Sequence, residues 1–102
     1  MDKGAQLQMV VSQVQGARQQ IASLKAQLRE LEATVIAVKN QPAELALLSQ
    51  MGSVMIEVED REKLMEDLEL TLGQMKSAIE TMAEKEAELI STYEQLKQSL
   101  EG

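Results

Sequence analysis

The sequence predicts a mainly α protein, a long antiparallel two-helix coiled coil joined by a single β-hairpin that assembles into a β-barrel body in an oligomer. Three observations carry this. Two long segments repeat apolar residues in alternating steps of three and four. Between them, two short apolar-rich runs flank Gly52-Ser53. Finally, the chain has no Phe, no Trp and one Tyr, so the side chains that fill most compact cores are missing. With 102 residues the chain is read as one domain, 1–102, with a helix over about 6–40, a hairpin over about 45–59 and a helix over about 60–101.

The first helix is defined by Leu7, Val10, Val14, Ala17, Ile21, Leu24, Leu28, Leu31, Val35 and Val38, a heptad seam without a slip. Leu7, Val14, Ile21, Leu28 and Val35 take position a and the others position d. Gly16 lies off the seam and costs about 1 kcal/mol of helix propensity relative to alanine. Pro42 ends the helix, because it lacks an amide donor and forces the residue before it out of the helical region.

The hairpin reads Leu45-Ala46-Leu47-Leu48-Ser49-Gln50-Met51, Gly52-Ser53, Val54-Met55-Ile56-Glu57-Val58-Glu59. With Gly52-Ser53 as a two-residue loop, Met51 pairs with Val54, Ser49 with Ile56 and Leu47 with Val58. One face then carries Leu45, Leu47, Met51, Val54, Ile56 and Val58, while Leu48 and Met55 share the other face with Gln50, Glu57 and Glu59. A lone two-stranded hairpin is marginal in water, so this one needs a partner for its face and edges.

Glu59 or Asp60 caps the second helix, and Glu62 places negative charge in its first turn, where the helix dipole favours it. Its seam is Met65, Leu68, Leu72, Met75, Ile79, Met82, Leu89, Tyr93, Leu96 and Leu100, interrupted by Glu86. Folding back about a centre between Met51 and Gly52 sets Val38 against Met65, Leu28 against Met75, Val14 against Leu89 and Leu7 against Leu96, an a residue always meeting a d residue. Glu86 faces Ala17, so its carboxylate leans outward past a methyl group. From Leu7 to Val38 the rod spans about 48 Å, with both termini at the end away from the hairpin. Such a rod has one thin buried layer, and several hairpins joined into a barrel would supply the missing order while closing their edges. Ile36, Leu64 and Leu70 are apolar, off the seam and near the hairpin, so they are expected to meet neighbouring subunits.

Charge is uneven. Residues 1–40 carry five basic and three acidic side chains, and 41–102 carry five basic and fourteen acidic. An anionic second half disfavours nucleic acid and suits a basic partner. No run of about 18 apolar residues exists, so no membrane span is expected, and the early apolar residues are too interrupted by Gln6, Gln8, Ser12 and Gln13 for a signal peptide. Without Cys there is no disulfide framework, which fits a cytoplasmic protein. Without His or Cys, and with no phosphate-binding loop, no enzyme chemistry is readable; no cofactor and no metal site are expected.

The arrangement resembles the beta subunit of prefoldin, of the archaeal type. The most specific stretch is Leu47-Leu48-Ser49-Gln50-Met51-Gly52-Ser53-Val54-Met55-Ile56, similar to that family's strand, glycine turn and aliphatic strand. An acidic helix start follows, Glu59-Asp60-Arg61-Glu62-Lys63-Leu64. Leu48 stands where the family is usually aromatic and Glu57 where it is often basic. The resemblance implies a jellyfish-shaped hexamer of two alpha-class and four beta-class subunits with hairpins in a double barrel and coiled coils as tentacles. It also implies ATP-independent capture of unfolded proteins and delivery to a group II chaperonin.

A holdase needs mobile apolar surface, which the free ends of the two helices supply if they splay. The expected client contacts are Leu7, Met9, Val10, Val11, Val14, Ile90, Tyr93, Leu96 and Leu100. Most of these are also seam residues with packing work to do; Met9, Val11 and Ile90 are off the seam. The expected oligomer interface is Leu45, Leu47, Leu48, Met51, Val54, Ile56 and Val58. Glu84, Glu86 and Glu88, with Glu94 and Glu101 nearer the tip, form an acidic run that is equally a solvated helix face; Glu94 and Glu101 are the expected chaperonin contacts. The competing reading is a structural coiled-coil adaptor that oligomerises through its hairpin and holds partners at a distance.

Overall fold

The computed structural model describes residues 2–101, in the order α1 (Lys3–Asn40), β1 (Leu48–Met51), β2 (Val54–Glu57), α2 (Arg61–Glu101). The molecule measures 70 × 25 × 16 Å. α1 begins earlier than its apolar pattern because Asp2 caps it: the carboxylate accepts the Gly4 N–H at 3.1 Å, leaving one fewer orphan donor in the first turn. It stops at Asn40, and Gln41, next to Pro42, is extended with φ −68° and ψ 124°.

A turn follows in which the Leu45 N–H donates to the Pro42 carbonyl at 3.0 Å. Leu45 is therefore a turn residue, a correction to its expected place on the hairpin face. Its backbone is committed to the turn that proline nucleates, so the sheet begins at Leu48. The strands pair antiparallel with Leu48 opposite Glu57, Ser49 opposite Ile56, Gln50 opposite Met55 and Met51 opposite Val54. One further bond, from the Val58 N–H to the Leu47 carbonyl at 2.8 Å, carries the ladder just past both strands. Gly52 has φ +64° and, among the described residues, no non-glycine residue has positive φ, as a type II′ turn requires of Gly52-Ser53; its twist matches that of the strands.

Of the two acidic candidates, Asp60 caps α2. Its side chain accepts the Lys63 N–H at 3.0 Å and its carbonyl the Leu64 N–H at 3.1 Å. Arg61 then reaches back across the junction, donating to the carbonyls of Gln41 at 2.7 Å and Pro42 at 3.3 Å. A guanidinium at the C-terminal end of α1 meets carbonyls left without helical partners and the negative end of the dipole. One side chain thus ties the end of one helix to the start of the other.

The seam residues of the two helices form the buried layer between them. Val10, Ala17, Ile21 and Val35 are buried and the remaining a and d residues of α1 half-buried, whereas no residue of α2 is fully buried. Two helices alone leave seam side chains open on their flanks, so most of them reach half-burial and few go further. At the far end the Lys3 ammonium donates to the Ser99 hydroxyl, which brings the two ends of the chain together. The strands neighbour one another and neither helix, so the hairpin projects beyond the shaft.

Candidate functional site

Apolar surface is concentrated at the two ends of the rod. At the hairpin end every residue of both strands is exposed, Met51 at 63 %. Leu48, Met51, Val54, Met55 and Ile56 leave both faces of the sheet bare, and both edges lack a neighbour among the described residues. Leu47 and Val58 are half-buried at its base, outside the strands proper. Ile36 and Leu70 are exposed on the adjoining shaft, while Leu64, expected to be available to neighbours, is half-buried.

At the tip, Val10 is buried and Leu7, Val14, Tyr93 and Leu96 are half-buried in the seam. Met9 and Leu100 are about half exposed, at 51 % and 49 %, and Val11 is exposed at 37 %. Ile90 is half-buried, which corrects its expected status as a free off-seam residue: it borders an open groove with Val11, Val14 and Tyr93, its rim formed by Arg18 and Glu94. Val11 and Ile90 lie 79 positions apart in sequence (90 − 11), and the fold brings them to one groove across the two helices.

The polar layer at Glu86 has a partner that the seam pattern did not reveal. The Arg18 guanidinium donates to the Glu86 carboxylate at 2.9 Å across the helices, so the carboxylate leans outward past Ala17 and is met there by a charge. A second cross-helix pair, Lys39 with Glu69 at 3.6 Å, lies on the same flank near the hairpin. The signal was present in heptad position e. On α1 that position holds Val11, Arg18, Lys25, Glu32 and Lys39, facing Glu69, Lys76, Ala83, Ile90 and Lys97 of α2. The opposite flank, position g, holds Gln6, Gln13, Gln20, Gln27 and Thr34 on α1, all uncharged, and faces Thr71, Ala78, Lys85, Thr92 and Ser99. The rod therefore has a flank rich in charge, on which Val11 and Ile90 are the large apolar residues, and a flank that is mostly polar and almost neutral.

Glu84, Glu88, Glu94 and Glu101 are exposed, as befits a solvated face. Among the described residues no group of acidic side chains has the geometry to hold a metal ion, and no helix is long and apolar enough to cross a membrane.

A hairpin that closes an antiparallel coiled coil and lies bare beyond it defines a subunit of an assembly, for which isolation leaves its most apolar surface in water. A family model described as "Prefoldin subunit" matches residues 1–102, and the chain belongs to that family. Two solved structures share its fold, both beta-class subunits from Thermococcus strain KS-1. The prefoldin beta subunit has a TM-score of 0.85 at 15 % identity, covering 95 % of this chain and 84 % of that one. The prefoldin beta2 subunit has a TM-score of 0.75 at 17 % identity, covering 92 % of this chain and 99 % of that one. No curated protein sequence gives a significant match. The chain is a chaperone subunit of beta-class architecture, from a non-enzymatic family whose subunits form hetero-oligomers with one another.

Proposed function

We propose that this chain is the beta-class arm of a hexameric, ATP-independent holdase that acts in the cytoplasm. Its hairpin joins those of an alpha-class partner and other beta subunits in a barrel body. The free end of its coiled coil captures unfolded proteins and passes them to a group II chaperonin. The observation that carries the reading is the separation of two kinds of apolar surface on one rod. Leu48, Met51, Val54 and Ile56 lie bare on a projecting sheet, whereas Met9, Val11 and Leu100 are exposed at the other end.

A sheet with two open edges and two apolar faces favours permanent assembly. The tip favours transient contact: its exposed residues are few, its helix ends lie at the low-stability end of the molecule, and opening the seam there adds Leu7, Val10, Tyr93 and Leu96 to the surface a client meets. Exposed Glu94 and Glu101 at the same end offer negative charge to a basic chaperonin surface.

The test is aggregation of a chemically denatured client in the presence of the assembled protein and without ATP. Aggregation should be suppressed by the full-length chain, and suppression should be lost on trimming residues 1–12 and 93–102 with the oligomer intact. A structural adaptor would show no suppression in either form, and that outcome overturns the chaperone reading at the level of this chain.

A further inference from the structure

We infer that client capture at the tip is one-sided: the site is the groove walled by Val11, Val14, Ile90 and Tyr93, and it takes unfolded segments in which aliphatic or aromatic residues alternate with lysine or arginine. The inference rests on the holdase reading above. Its geometric part comes from the two flanks of the coiled coil. Val11 and Ile90 are the off-seam apolar residues that border this groove, one from each helix, and both lie in position e. At the same level on the other flank stand Gln13 and Thr92. Gln15 also lines the groove, but there an apolar side chain of a client gains burial against two apolar residues from each helix, whereas on the second flank an amide and a hydroxyl stand in place of Val11 and Ile90.

The charge preference comes from the rim. Arg18 and Glu94 both border the groove, but the Arg18 guanidinium is engaged with Glu86 at 2.9 Å. Glu94 is exposed and has no ion-pair partner among the described residues, and Lys97, one turn nearer the free end, does not line the groove. The charge left facing a ligand is a carboxylate, in a chain of net charge −7. A basic residue beside the buried apolar one complements it, and an acidic one is repelled by it. Unfolded segments of this composition are thereby separated from equally apolar acidic ones.

The test uses the assembled full-length protein and three fluorescent peptides of equal length, in which leucine alternates with lysine, serine or glutamate. The lysine peptide should bind most tightly and the glutamate peptide least. Glu94→Gln should weaken the lysine peptide about two- to fivefold and leave the serine peptide unchanged. Val11→Gln, a helix-compatible change, should weaken all three about tenfold, while Thr92→Gln, at an exposed residue at the same level on the opposite flank, should leave them within about twofold. A photo-crosslinker on the lysine peptide should label Val11, Ile90 or Tyr93 and spare Gln13 and Thr92.

Equal losses from Val11→Gln and Thr92→Gln, labelling of both flanks, or indifference to peptide charge would overturn the inference. If aggregation suppression persists in that case, the holdase reading stands without it. If the wild-type protein suppresses no aggregation, the broader reading fails first.

Discussion

The hairpin and the shaft solve opposite problems with similar side chains. In the shaft, leucine, valine and methionine repeat every three or four residues, and the seam is half-buried or better from Leu7 to Val38 and from Met65 to Leu96, with Leu100 exposed at the end. In the hairpin the same residue types alternate every second residue, and every strand residue is exposed. The difference teaches that the shaft satisfies its apolar residues within one chain, whereas the hairpin leaves its own without a cover. Chain geometry decides this: the fold-back packs helix against helix, and among the described residues neither helix neighbours the sheet.

The comparison is broken most severely at the hairpin. Ile56→Asp, or Val54→Asp, should dissociate the oligomer while leaving most of the helicity, since neither strand neighbours a helix. Light scattering and circular dichroism read the two quantities, and an unchanged mass would show that assembly lies elsewhere. In the shaft, Ile21→Ala removes a buried seam residue and should destabilise the coiled coil by about 2–3 kcal/mol, the lower part of the range for such truncations because the flanks are open. Thermal melting of the assembled protein measures it, and the mass should not change.

The junction between the regions is subtler. Arg61→Ala removes both bonds to the Gln41 and Pro42 carbonyls and should cost about 1–2 kcal/mol. It should also raise hydrogen exchange at the start of α2 more than at the tip. The smallest effect is a gain. At Gly16 an added Cβ meets nothing within 4 Å, so Gly16→Ala should stabilise the shaft by about 1 kcal/mol or slightly less without altering assembly. A loss of stability there would mean that the exposed face of α1 is covered in the oligomer.

Periodicity made the shaft legible because a coiled coil repeats one contact many times, and a single error of register would have shown as a polar residue in the seam. Glu86 is such a residue, and its outward lean follows from Ala17 opposite. Its partner did not follow, since Arg18 belongs to the flank and flank positions carry a weaker pattern than a and d. The groove at the tip was half visible. Val11 was singled out as off-seam and is exposed, while Ile90 is half-buried, because adjacency across two helices depends on axial stagger and side-chain direction as well as sequence spacing. Leu45 departs from the expected hairpin face for a local reason: apolar alternation begins at Leu45 in the sequence, but the turn at Pro42 commits its amide first.

By itself, then, the order of residues determined which segments are helical, where the chain reverses, and which layer of side chains meets which. These follow from heptad phase and from a glycine whose positive φ suits a tight hairpin. Only the tertiary structure decided what the flanks do. The Arg61 clamp, the Arg18–Glu86 pair and the groove shared by Val11 and Ile90 each join atoms from segments remote in sequence. Their existence turns on ångström-scale offsets between two helices, which a repeating pattern leaves free.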